Sequence, residues 1–191
     1  MASQIDWQFL DGSASQAAPR LLGCELVREI DGQKVRVRIV ETEAYDQMDV
    51  ASHSYKGRTP RTDVMFGPSG HLYVYFTYGM HFCCNVVVGL EGHGAAVLIR
   101  AVEPLSGAAL IDDRRGMGVN TTNGPAKLCQ ALAIDKALNG HNLALSPLQL
   151  EVKPTVHSGE FIQTTRIGLS KGADVPWRFY IRGNPYVSRS Q

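Results

Sequence analysis

Residues 71–88 read HLYVYFTYGMHFCCNVVV, and the fold follows from this stretch. Two runs rich in β-formers, Leu72 to Thr77 and Phe82 to Val88, flank Tyr78-Gly79, so the segment is a β-hairpin. Upstream, ELVREI (25–30), Asp31-Gly32 and KVRVRIVETEAY (34–45) make two more strands around a tight turn. In the second of them Val35, Val37 and Ile39 alternate with Arg36, Arg38 and Val40, the period of a half-buried strand. Downstream, AAVLIRAVEP (95–104) is a strand stopped by Pro104, and WRFYIRG (177–183) is a last short one. Ala17 to Cys24 suits a short helix ended by Gly23. GPAKLCQALAI (124–134) suits another, with Pro125 at its favoured first position. Strands predominate, and no βαβ alternation interrupts them. That pattern predicts one α+β domain around an antiparallel sheet, with residues 1–16 a loosely ordered lead-in. Asp46 to Ser69 is polar and rich in Gly, Pro and Ser, a long irregular loop of the kind that carries function in small domains.

The bulk properties narrow the class. The chain has 191 residues, 44% hydrophobic and 19% charged, enough apolar material for one compact core and too little charge for a disordered chain. The net charge of +1 hides an asymmetry: residues 1–55 carry five basic and nine acidic groups, while 161–191 carry five basic groups, Arg166, Lys171, Arg178, Arg182 and Arg189, against Asp174 alone. Such a basic end suits phosphates or is simply a solvated face. Cys24, Cys83, Cys84 and Cys129 lack metal-ligand spacing and read as buried thiols of a reducing compartment. No basic leader with an apolar stretch opens the chain, and no apolar run approaches bilayer length. The expectation is an intracellular protein with no membrane partner.

Chemistry gathers in few places. Glu41, Glu43 and Tyr45 share one face at the end of a strand that runs into the polar loop. A carboxylate beside an aromatic there is a candidate general base next to a stacking surface, or else an edge ion pair beside a packing tyrosine. Tyr73, Tyr75, Tyr78, Phe76 and Phe82 cluster along the hairpin. Aromatics there are mostly core, but Tyr78 before Gly79 is exposed by its turn, as a wedge into a base stack must be. Asn85 and Arg100 interrupt apolar strands, so they are satisfied structural groups or line a site. His53, Arg58 and Arg61 share the polar loop. The signatures of zinc hydrolases, zinc deaminases, nucleotide-cofactor enzymes and serine hydrolases are all missing.

Taken in order, VETEAY, HS-x-x-GRTPR, MF-x-x-x-G-x-LYVYF-x-YGM-x-FC-x-N, VLIRAVEP, NGPAKLCQALAI and RFYIRG-x-P-x-VS resemble the alkyladenine (3-methyladenine) DNA glycosylases, from about Leu21 to Ser188. The resemblance implies a curved antiparallel sheet with surrounding helices and a protruding hairpin. It also implies a monofunctional hydrolysis of damaged purines flipped out of double-stranded DNA, with no cofactor and no metal, by a monomer. Glu43 becomes the general base and Arg100 a second holder of the water. Tyr45 and Tyr75 sandwich the base, His53 completes the pocket, and Asn85 disfavours the exocyclic amine of guanine. Tyr78 becomes the wedge, with Met80 beside it, and Arg58, Arg61 and Lys127 contact phosphates. The chain departs from vertebrate members at His81, where they carry an aromatic, and in its shorter 106–122 connection. The site of action would be the cytoplasm, at the nucleoid of a bacterium, or a nucleus. Two other readings use parts of the same set: a nucleoside N-ribohydrolase, which needs no wedge, and a single-strand binder, which needs no Glu43.

Overall fold

A computed structural model of the chain describes residues 6–188. Its strands are β1 (Glu25–Ile30), β2 (Gln33–Tyr45), β3 (Leu72–Thr77), β4 (His81–Val87), β5 (Ala96–Ser106), β6 (Leu148–Glu151), β7 (Phe161–Thr164) and β8 (Arg178–Ile181). They form one antiparallel sheet in the order β3-β4-β5-β2-β1-β6, with β8 joining β2 and β7 joining β8. The long β2 explains the branching. On one side β5 runs along it, and on the other β1 pairs with residues 33–38 and β8 with residues 41–43. A strand with different partners along its length cannot stay flat, and the sheet curls into a half-barrel. The α+β expectation holds.

Three α-helices pack against the sheet: α1 (Ala14–Arg20), α2 (Ala108–Arg115) and α3 (Pro125–Ala131). Helix α1 starts earlier than the sequence suggests, with Gln16 Oε1 accepting the Ser13 N–H at 3.0 Å, and Gly23 follows it at φ +84°. The lead-in is accordingly shorter than expected. Trp7–Leu10 is a 3-10 turn, Leu10, Ala14, Ala17 and Ala18 are fully buried, and residues 1–5 lie outside the described ones. Gly70 makes room for this segment, because a Cβ there would meet the Trp7 ring at 2.2 Å.

The end of β5 and three further elements escape the sequence reading. β5 continues past Pro104 to Ser106, because β4 covers it only at residues 96–98 and a missing N–H is tolerated on an open edge. The 106–122 connection holds α2, of which only Ile111 is buried, so no apolar stripe announces it. Strands β6 and β7 are four residues each, too short for a periodic signal. The main core joins the inner face of the sheet to α1 and α3 through Leu21, Leu26, Ile39, Val97, Leu128 and Leu132.

Candidate active site

The site is made by two irregularities in the β2–β5 ladder. Ile39 pairs with Val102 and Glu41 with Ala101, so Val40 is an extra residue in β2. Glu41 pairs with Ala101 and Thr42 with Ile99, so Arg100 is an extra residue in β5. Each bulge exchanges the faces of its strand. Before it, Val35, Val37 and Ile39 point into the core; after it Ala44 does, and Thr42 donates to the Ala18 carbonyl of α1. Glu41, Glu43 and Tyr45, which strict alternation would send inward with Ile39, are thereby turned to the opposite face, together with Arg100.

Glu43 is fully buried and held from three directions. The Ile167 N–H donates to Oε1 at 2.8 Å, the Tyr45 hydroxyl donates to Oε2 at 2.9 Å, and Arg100 Nη1 reaches Oε2 at 3.3 Å. Arg100 also lies 3.3 Å from Glu41 through Nε, which makes no hydrogen bond of its own. Burial works against the Arg100 charge, but Glu43 and Glu41 outweigh it and its pKa is raised. Burial, with the Glu43 charge, pushes the Tyr45 hydroxyl up as well, so it stays protonated as the donor.

Beside Tyr45 opens a cavity of about 100 Å³ lined by Tyr45, Ala51, His53, Met65, Tyr73, Tyr75, Asn85 and Leu169. The His53 and Tyr75 rings meet edge to face, centroids 4.6 Å apart. His53 Nδ1 is 3.0 Å from the Tyr73 hydroxyl, and its Nε2 faces Arg61 at 3.4 Å. A guanidinium only donates, so Nε2 accepts and the proton is assigned to Nδ1. Burial, and then the Arg61 charge, push the His53 pKa down to about 4, which leaves the ring neutral near pH 7. Asn85 gives one amide hydrogen to the Tyr73 carbonyl at 3.1 Å, which leaves its oxygen and its second N–H out of that bond. Burial raises the Tyr75 hydroxyl, and it pushes the neighbouring Cys83 thiol up to about 11.

The hairpin tip is the opposite kind of surface. Tyr78 is 86% exposed at φ +51° and Gly79 follows at φ +68°, with the Met80 N–H closing the turn on Thr77 O at 3.3 Å. A tyrosine held in the left-handed region costs about 1 kcal/mol or more, a strain found most often at functional positions. Met80, 69% exposed, borders a cleft shared with Ala126 and Gln130 of α3. Arg61 stands at the cavity mouth, 5.9 Å over the Tyr75 ring. Arg58 is engaged by Asp63 at 2.6 Å and Lys127 by Asn123 at 2.8 Å, both away from the cavity. The fold therefore unites Glu43, Arg100, Tyr45, His53, Tyr75, Asn85 and Arg61, and leaves Arg58 and Lys127 apart.

Several participants are invisible to sequence reasoning. Tyr73, 2% exposed, looks like core and yet lines the cavity and holds His53. The segment 166–169 supplies Arg166, the Ile167 N–H and Leu169 from more than 120 residues beyond Glu43, with no local pattern to mark it.

A profile of the methylpurine-DNA glycosylase family matches residues 8–185, nearly the whole chain and all of this site. The chain belongs to the methylpurine-DNA glycosylase family. Its similarity to individual members is high: 50% identity to a protein of Carboxydothermus hydrogenoformans over 95% of this chain and 97% of that one, and 48% to one of Methanoculleus marisnigri over 95% and 96%. A Rhodopseudomonas palustris protein is 44% identical over 99% and 92%. All three are provisionally named 3-methyladenine DNA glycosylases. Membership of the methylpurine-DNA glycosylase family makes the chain a hydrolase acting on N-glycosyl bonds. Among the described residues no group of three His, Cys, Asp or Glu could hold a metal ion, and no helix is long and apolar enough to cross a membrane.

Proposed function

We propose that this methylpurine-DNA glycosylase binds duplex DNA, draws an alkylated purine nucleotide out of the stack into the Tyr45–His53–Tyr75 cavity, and hydrolyses its glycosidic bond with a water deprotonated by Glu43. The observation that carries the reading is the Glu43 carboxylate, buried, oriented by three donors and set directly behind an aromatic cavity. As the C1′–N bond breaks, its electron pair leaves with the purine, and the sugar develops oxocarbenium character that the carboxylate stabilises. The water oxygen bonds to C1′ and its proton passes to Glu43, leaving free purine and an abasic strand. An alkylated purine that carries a positive charge departs neutral and needs no acid. Electron-rich tyrosine faces favour such a cation, and a neutral His53 does not repel it.

Tyr78 is the group that would fill the space left in the duplex, and Arg61 the cation that would meet a phosphate at the cavity mouth. An N-ribohydrolase of free nucleosides has no use for either. The deciding experiment is release of 7-methylguanine from a duplex oligonucleotide by the wild-type protein and by Glu43→Gln. Release by the first and not the second supports the reading. Comparable single-turnover release by both removes Glu43 from the role of base.

The same site argues for hydrolysis without strand cleavage. A bifunctional enzyme attacks with an amine, but no lysine lines the cavity, and Lys127 already donates to Asn123. Borohydride added during turnover is expected to trap no protein–DNA adduct. An adduct that disappears when one lysine is substituted would replace hydrolysis with amine chemistry.

A further inference from the structure

Against the Tyr45 ring, and outside the residues that line the cavity, the structure buries an ion pair that plays no part in the steps above. The Arg166 side chain is fully enclosed and that of Asp49 is 3% exposed. Arg166 Nη1 donates to Asp49 Oδ2 and, at 2.9 Å, to the Ala44 carbonyl; Nη2 donates to Asp49 Oδ1 at 3.1 Å and to the Gly172 carbonyl at 2.9 Å. The guanidinium carbon lies 4.8 Å from the centroid of the Tyr45 ring and 5.4 Å from that of Trp177, so the cation stacks on an aromatic wall of the base cavity. The next residue, Ile167, aims its N–H at Glu43, and Leu169 lines the cavity.

We infer that Asp49 and Arg166 form a specificity-determining pair that sets how strongly the Tyr45 wall attracts a positively charged purine relative to a neutral one. The inference rests on the cavity being the base pocket. A cation on one side of an aromatic ring draws on the same quadrupole that a cationic base on the other side would use, and it repels that base through the ring. Enclosure keeps solvent from screening the effect. Asp49 moderates it, because the carboxylate sits on the guanidinium and cancels most of its field. The pair is thus a graded device: removing the cation leaves a lone carboxylate behind the wall, and removing the carboxylate leaves a lone cation.

These two changes have opposite electrostatic signs at the cavity, while their structural damage has the same sign, and this separates specificity from packing. The measurement is the ratio of single-turnover release of 7-methylguanine, a cation, to that of hypoxanthine, neutral, each from duplex oligonucleotides. Arg166→Met is expected to raise the ratio about threefold or more, and Asp49→Asn to lower it by a similar factor. Each ratio is internal to one preparation, so a smaller active fraction cancels. If the wild type releases only one of the two bases, the ratio of affinities for the two lesion duplexes takes its place. If Arg166→Met does not fold, Asp49→Asn against Asp49→Glu decides: the neutral substitution lowers the ratio and the charged one restores it. Ratios that stay constant or move the same way in both variants, or an Asp49→Glu ratio equal to that of Asp49→Asn, overturn the inference while leaving the glycosylase reading intact. A wild type that releases neither base and binds neither duplex fails that reading instead.

Discussion

Glu41 and Glu43 lie two residues apart on one face of β2, both fully buried and both within 3.3 Å of Arg100, yet their surroundings differ in kind. Glu41 is saturated by permanent structure: Arg178 Nε at 2.6 Å, the Ser188 N–H at 2.6 Å and the Ser188 hydroxyl at 2.7 Å. It ties β2 to β8 and to the C-terminal segment. Glu43 is held by one backbone N–H, by Arg100 and by Tyr45, and the Tyr45 side chain itself lines the cavity. Burial alone thus does not distinguish a structural carboxylate from the proposed base. What distinguishes the two is that one partner of Glu43, Tyr45, also faces the space a substrate would enter.

The largest effect that could break this contrast is on rate. Glu43→Gln removes the proposed proton acceptor with little change of shape, so excision is expected to fall at least about 100-fold while the melting temperature stays within a few degrees of wild type. Glu41→Gln is expected to do the reverse. It leaves Arg178 buried without its charge partner, and stability falls by about 3 kcal/mol, read in a urea titration, while the protein that remains folded keeps excising. If Glu41→Gln abolishes excision in folded protein, the two carboxylates act as one unit through Arg100.

A smaller effect tests whether recognition is separable from the buried apparatus. Tyr78 contributes almost no packing at 86% exposure, so Tyr78→Ser is expected to change stability by no more than about 0.5 kcal/mol. Lesion-duplex affinity should drop by about tenfold, measured by fluorescence anisotropy. A large fall in stability with unchanged affinity would make the hairpin tip a packing element.

The same contrast shows how much the sequence discloses. The hairpin of β3 and β4 and the turn between β1 and β2 are legible, because period-two patterning and Gly-containing turns are local signals. That Glu41, Glu43 and Tyr45 share a face is legible for the same reason. Which face they take is not, because the extra residues Val40 and Arg100 are defined only by the pairing of β2 with β5, some 60 residues apart. The difference between the surroundings of the two glutamates is hidden too, since it depends on Arg178, Ser188 and Ile167, all from the far end of the chain. Arg166 stands alone in its segment without a recognisable pattern, and only folding brings it to Asp49. Arg189, counted with the basic C-terminal residues, lies outside the described ones.

The smallest expected effect concerns His53, which belongs to the cavity wall and not to the carboxylate network. Its pKa is pushed down to about 4, first by burial of the ring's inner edge against Tyr73 and Tyr75 and then by Arg61. In the unfolded chain the imidazole protonates near its ordinary value of about 6.5, so between about 4 and 6.5 the unfolded state binds more protons than the folded one. The neutral ring's contribution to stability is therefore complete above about pH 6.5 and is lost as the pH falls toward 4. Its size is modest, because the residue is exposed at the cavity mouth and solvent screens it. Comparing wild type with His53→Gln by thermal melts at pH 7.5 and pH 4.5 isolates the term, since glutamine does not titrate. The wild type is expected to lose about 1–2 °C relative to the variant over that interval. A relative gain at low pH would mean that the folded protein prefers the charged imidazole, and the cavity could not then be the neutral, cation-accepting surface on which excision of an alkylated purine depends.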